Sequence, residues 1–223
     1  MEKETKGLKN VYGVKIILVG DTQVGKTQIL YRFIHKEFQD VSASTIGSDI
    51  ELFNVELKNK ILKLTIMDTA GEERFRSITR GYFTNVPCAI IVYDITNKGT
   101  FNSVKQWIND CQSYGSKNIH LILVGNKIDL SDSRKVSKEE GIELANEYCM
   151  DFLESSAKTG ENIEKIFKKI CEFISKNIDE GKYDFNNPSH GVKRLEIEEN
   201  LKINKSLNKE ANIDKKRHNK CCE

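Results

Sequence analysis

The sequence predicts an α/β domain built on a mostly parallel sheet with helices on both faces, and three observations carry that reading. The apolar run Val14-Lys15-Ile16-Ile17-Leu18-Val19 leads into Gly20-Asp21-Thr22-Gln23-Val24-Gly25-Lys26-Thr27 and then a helical pattern. Strand, glycine loop and helix in this order make a phosphate cradle. Further apolar runs alternate with helical periodicity, the mark of parallel strands joined by crossover helices. The 223 residues suffice for one substantial core and are short for two full enzyme domains.

Taken in order, residues 14–19 form the first strand, and Thr27 to Phe33 opens a helix on which Ile29, Leu30, Phe33 and Ile34 share a face. Phe38 to Asp49 is polar and β-branched without steady periodicity, so it reads as a mobile loop. Ile50 to Leu57 and Ile61 to Met67 alternate around Lys58-Asn59-Lys60 as a hairpin, which supplies one antiparallel edge strand. Strands follow at Ala89 to Tyr93, His120 to Val124 and Phe152 to Glu154, separated by helical patterns at Phe101 to Cys111 and Lys138 to Tyr148. Ile163, Ile166, Phe167, Ile170, Cys171 and Ile174 recur at helical spacing and close the domain with a helix. Beyond Lys176 the chain turns polar, Asn186-Asn187-Pro188-Ser189-His190-Gly191 punctuates it, and the apolar residues from Leu195 on are too sparse for a core helix. Residues 1–11 therefore read as a flexible extension, 12–176 as the folded domain, and 177–223 as a largely disordered tail.

Lys and Arg number 35 against 33 for Asp and Glu, a net charge of +2 that leaves no global footprint for nucleic acid. Apolar runs such as Cys88 to Tyr93 fall far below the roughly 20 residues that cross a bilayer, and the N-terminus is polar, so an intracellular protein is expected. Cys88, Cys111, Cys149 and Cys171 sit in regular apolar patterns and read as small core residues in a reducing compartment. Cys221 and Cys222 are adjacent, near the end, and follow polar sequence with no core to join.

The cradle carries its own chemistry. Loop N–H groups and the helix N-terminus aim at phosphate oxygens, Lys26 can reach the outer phosphates, and the Thr27 hydroxyl can stand on Mg²⁺. Asp68-Thr69-Ala70-Gly71 follows a strand, so Asp68 can engage Mg²⁺ directly or through water. Asn126-Lys127-Ile128-Asp129 follows another strand, and the Asp129 carboxylate can accept from both a guanine ring N–H and its exocyclic amine, a pairing adenine cannot offer.

With these motifs the chain resembles the small Ras-like GTPases, and among them the Rab group, over about residues 12–176. The resemblance rests on Gly20 to Thr27, Thr45-Ile46-Gly47, Asp68-Thr69-Ala70-Gly71, Asn126-Lys127-Ile128-Asp129 and Ser155-Ser156-Ala157-Lys158. Rab-like character comes from Ile46-Gly47-Ser48-Asp49, Glu73-Arg74-Phe75-Arg76-Ser77-Ile78, Val92-Tyr93-Asp94-Ile95-Thr96 and the pair Cys221-Cys222. It implies the P-loop small-GTPase fold, with a mostly parallel six-stranded sheet. It also implies a GTP/GDP-binding, Mg²⁺-dependent GTP hydrolase that regulates vesicle traffic. In that frame Asp21, Thr22, Gln23, Val24, Gly25, Lys26, Thr27 and Gln28 surround the phosphates. Thr45 serves Mg²⁺ and the γ-phosphate, and Gly71 touches the same phosphate. Phe38 packs on the guanine, and Asn126, Lys127 and Asp129 with Ser156, Ala157 and Lys158 form the base pocket. Loss of the γ-phosphate would release both switch segments.

The resemblance further implies an exchange factor, a GTPase-activating protein, a GDP-dissociation inhibitor, a prenylation escort protein and effectors. It also places the chain on the cytoplasmic face of intracellular membranes, anchored through lipid on Cys221 and Cys222 beside the basic run Lys215 to Lys220. The departures concern rate and partners. Glu72 stands where the family usually has the glutamine that orients the attacking water, the part glutamine plays in Ras. An ionised carboxylate accepts but does not donate, and it adds negative charge near the γ-phosphate, so slow intrinsic hydrolysis is expected; the alternative is that Glu72 orients the water as an acceptor while an activating protein screens its charge. Thr22 and Gln23 are larger than many relatives carry, Ser42 replaces a common tyrosine, and Ile50 and Met67 replace aromatics of the usual effector surface.

Overall fold

The structure is a computed structural model that describes residues 9–39, 48–69 and 81–195. β1 (Asn10–Val19) runs into the glycine loop and α1 (Lys26–His35). β2 (Ser48–Glu56) and β3 (Lys60–Thr69) form the expected hairpin, followed by β4 (Cys88–Asp94), α2 (Lys98–Asn102), α3 (Val104–Tyr114) and β5 (His120–Asn126). A 3₁₀ turn at Ile128–Ser133, α4 (Lys138–Glu147), β6 (Asp151–Ser155) and α5 (Ile163–Asp179) complete the part whose strands and helices the sequence foresees.

The sheet runs β2-β3-β1-β4-β5-β6, parallel throughout except for the β2–β3 pair on this path. Alternation along each buried strand sends side chains to two separate cores. Val14, Ile16 and Leu18 of β1 join Ile90 and Val92 of β4 against Ile29 and Phe33 of α1 and Ile166, Phe167 and Ile170 of α5. Ile17 and Val19 join Ile91 and Tyr93 against Trp107 and Ile108 of α3 and Leu144 of α4. Both faces are covered, which explains the continuous apolar runs of β4 and β5.

β1 begins at Asn10, inside the stretch 1–11 read as a flexible extension, because Asn10 and Val11 already pair with Lys60 and Ile61 of β3, and three further features differ from the sequence reading. The helix expected at 101–111 is two helices, α2 and α3, meeting at Ser103; Asn97 caps the first by accepting from the Gly99 N–H at 3.0 Å. Cys149 is not a core residue: it is exposed in the turn after α4 with φ 53°, whereas Cys88, Cys111 and Cys171 are buried. The third is in the tail. The last helix runs on to Asp179, where the buried Lys60 ammonium reaches Ser175 and Asp179.

The chain then returns through a 3₁₀ turn at Pro188–His190 to add a seventh strand, β7 (Val192–Leu195), antiparallel to β1. β4 pairs with β1 only from Ile16 to Val19, and β7 fills the vacant stretch from Val11 to Val14. The sheet therefore has seven strands rather than the six expected, and the folded chain reaches Leu195 rather than 176. Among the described residues no helix is long and apolar enough to cross a membrane.

Candidate functional site

β1 lies where the strand order reverses, with β3 on one side and β4 on the other. In open α/β sheets the crevice beyond the carboxyl ends of the strands at such a point is the ligand site. Gly20 to Gly25 crosses that crevice. Gly20 has φ 143°, and a Cβ there would lie 2.2 Å from the Val92 carbonyl oxygen. Gly25 has φ 97°, and a Cβ would lie 2.4 Å from Asn126 Nδ2. Only glycine lets the loop bend this closely against two strand ends. Gly25 is also the N-cap of α1 and offers no side-chain acceptor, so the first N–H groups of the helix stay open to an anion.

Lys26 is buried and its ammonium donates to the carbonyls of Gly20 and Asp21, each at 2.9 Å. Burial pushes its pKa down to about 8, against the opposing pull of Asp68 and Asp21. An anionic phosphate beside it would supply the missing charge. Asp21 is held by Trp107 of α3, whose indole N–H donates to its carboxylate at 2.8 Å. Val24 is buried under the loop, while Thr22, Gln23 and Thr27 are exposed and Gln28 keeps a buried Oε1 without a hydrogen-bond partner.

Asp68, at the end of β3, accepts from the Thr27 hydroxyl at 2.5 Å through Oδ2. Its Oδ1 is buried without a hydrogen-bond partner. Burial raises its pKa, opposed by Thr27 and Lys26. An orphaned carboxylate oxygen beside a hydroxyl fits a hard divalent cation such as Mg²⁺. Among the described residues no group of three His, Cys, Asp or Glu could hold a metal alone. Thr27 and Asp68 would supply part of a shell for Mg²⁺, which takes further oxygens from water and substrate phosphates.

The ends of β5 and β6 bring a second group of polar side chains against the glycine loop. Asn126 donates to the Val24 carbonyl at 2.9 Å, and its Oδ1 accepts from the Ser155 hydroxyl and the Ala157 N–H, both at 3.3 Å. This one amide joins the glycine loop to the chain at the ends of β5 and β6. Lys127 has φ 71° and pairs with Asp94 at the end of β4 at 2.7 Å. Ser156 donates to Asp129 Oδ1 at 2.6 Å, so that carboxylate is oriented by a neutral partner. Lys158 is exposed, and Phe38 is half-buried just beyond α1.

The structure thus brings together Asp21, Lys26, Thr27, Asp68, Asn126, Lys127, Asp129, Ser156 and Ala157 around one crevice. Thr45, Gly71 and Glu72, with Ser42, and Cys221 and Cys222 lie outside the described residues. The two effector-surface positions part company: Ile50 is exposed beside Leu52, while its register partner Met67 is buried. Sequence reading missed Arg32, Asp94 and Trp107, which hold site residues in place. Their signal was absent because each acts on a residue 30 or more positions away through a contact that only the fold creates.

The Ras family model matches residues 15–176, from within β1 to within α5, and so spans the glycine loop, Asp68 and the loops after β5 and β6. β7 and the chain leading to it lie beyond the match. By this match over most of its length the chain belongs to the Ras family of small GTPases, which bind GTP and GDP with Mg²⁺ and act in general as GTP hydrolases.

Proposed function

We propose that this chain is a Rab-like switch in vesicle trafficking that binds GTP or GDP with Mg²⁺ and hydrolyses GTP slowly. The observation that carries the guanine reading is the pair Ser156 and Asp129: a carboxylate fixed at the mouth of the crevice through one oxygen, 2.6 Å from its donor, can present the other edge to a guanine. The Rab-like segments around Ile46, Glu73 and Tyr93 and the terminal cysteine pair support the narrower assignment. Thr45 and Gly71 would sense the γ-phosphate, and their release after hydrolysis would end effector binding. An exchange factor, an activating protein, a GDP-dissociation inhibitor and an escort for prenylation are the partners this cycle requires. Lipid on Cys221 and Cys222 would hold the chain to the cytoplasmic face of intracellular membranes.

Glu72 favours a second reading, a nearly non-hydrolysing adaptor that stays GTP-bound and recruits effectors. Single-turnover hydrolysis of γ-labelled GTP by the Mg²⁺-loaded protein, beside Glu72→Gln, separates the cases. The expected result is a 10-fold to 1,000-fold slower wild type, about 1.4 to 4 kcal/mol of lost transition-state stabilisation. Equal or faster hydrolysis by the wild type would overturn the assignment of Glu72 as a brake.

A further inference from the structure

α1 carries a side chain that reaches the base pocket from beneath. The Arg32 guanidinium donates through Nε to the Ala157 carbonyl at 2.9 Å, through Nη2 to the Lys158 carbonyl, and through Nη1 to the Lys36 carbonyl at 2.7 Å. Lys36 is the C-cap of α1, so one planar fork ties the end of the helix that starts at the phosphate loop to two successive peptides of the loop after β6. Those residues lie 125 and 126 positions away in sequence.

Two carbonyls held on one side fix what lies on the other side. In a planar trans peptide the C=O and the following N–H point in opposite directions, and the described chain has no cis peptides. With the Lys158 carbonyl drawn to Arg32, the Thr159 N–H is turned away from it and donates to Ser156 Oγ at 3.0 Å. Accepting that bond commits the Ser156 hydroxyl hydrogen to its remaining acceptor, Asp129 Oδ1, at 2.6 Å. The Lys158 N–H, on the far edge of the peptide whose carbonyl Arg32 also holds, is likewise turned away from the guanidinium.

We infer that Arg32 is a positioning residue for base recognition: through the Lys158 carbonyl, the Thr159 N–H and the Ser156 hydroxyl it sets the orientation of the Asp129 carboxylate. The inference rests on the guanine reading proposed above. A lysine cannot replace this arginine, because a single ammonium on a flexible stem lacks the fork that holds two carbonyls in one plane. Arg32 thereby links the helix that begins under the phosphates to the group that reads the base.

The test compares the full chain with Arg32→Met and Arg32→Lys, measuring Kd for GDP and for inosine diphosphate in Mg²⁺. The inosine base lacks only the 2-amino group, so the ratio of the two constants reads how well Asp129 engages that group. The expected result is a ratio reduced by roughly threefold to tenfold in Arg32→Met, the size of a misaligned charged hydrogen bond. Arg32→Lys should fall between it and the wild type, and it carries the test if Arg32→Met does not fold. Ser156→Ala should reduce the ratio too, and adding Arg32→Met to it should change the ratio little further, since both act on one chain of bonds. An equal loss for both nucleotides, leaving the ratio unchanged in both Arg32 variants, would overturn the inference and leave the guanine reading standing. A wild type that binds the two nucleotides equally would overturn both.

Discussion

Lys26 shows how one residue can be costly for the empty fold and useful for the liganded one. Burial lowers its pKa from 10.5 to about 8, so between those values the unfolded chain holds more protons than the ligand-free fold. The ligand-free protein therefore gains stability as pH rises through that window. A bound phosphate reverses the balance by favouring the ammonium. Nucleotide binding at pH 8.5 should then take up a fraction of a proton, and affinity should fall as pH rises through 8 toward 10. Calorimetry in buffers of different ionisation enthalpy reads the uptake directly; a binding enthalpy independent of buffer would refute it. Asp68 behaves in the opposite sense, since burial holds its carboxyl up and a divalent cation at Oδ1 would bring it down.

Among the elements, β7 has the least sequence signal and a clear structural reason. Its four residues, Val192-Lys193-Arg194-Leu195, place only Val192 fully in the core, with Lys193 and Arg194 exposed. What stabilises the strand is the ladder slot that β4 leaves open along β1, together with the chain that leads to it. Phe185 packs on Tyr12 with ring centroids 5.3 Å apart, Tyr183 is hydrogen-bonded to Asn177, and Ser116 donates to the Ser189 carbonyl at 2.8 Å. Loss of two half-buried aromatics and a buried valine, offset by the freed chain entropy, should cost about 2 kcal/mol or more. A chain ending at Gly181 is therefore expected to melt roughly 4–8 °C below the full chain in a calorimetric scan. An unchanged Tm would show that β7 adds nothing to the domain. The break between α2 and α3 is also a matter of context: Thr100 turns its hydroxyl inward to the Asn97 carbonyl and the Asp94 N–H, anchoring the short helix to the end of β4.

At the scale of the whole molecule, the nucleotide crevice and the exit of the tail stand at opposite ends of β1. Gly20 follows the carboxyl end of the strand, while Leu195 pairs with Val11 near its start. Changing Cys221 and Cys222 together to serine should release the protein from the membrane fraction of a cell expressing it while leaving GDP affinity within about twofold, because the crevice and the tail share no residues. Retention of the doubly changed chain on membranes would remove the lipid explanation.

Local pattern was enough for the β–loop–α start, the β2–β3 hairpin and the strands β4, β5 and β6. Lys26, Thr27, Asp68, Asn126 and Asp129 stand out in short runs that follow strand ends, and Ser156 through the family resemblance alone. Which groups orient those residues follows from the fold. Arg32 beneath Ala157, Trp107 on Asp21 and Asp94 on Lys127 are contacts between distant segments, and no local pattern encodes them. The tertiary structure also decided the seventh strand, since a four-residue segment with two apolar side chains becomes a strand only where another strand offers it unpaired N–H and C=O groups. Local spacing is written in neighbouring residues, whereas a hydrogen bond across 100 positions exists only once the chain has folded.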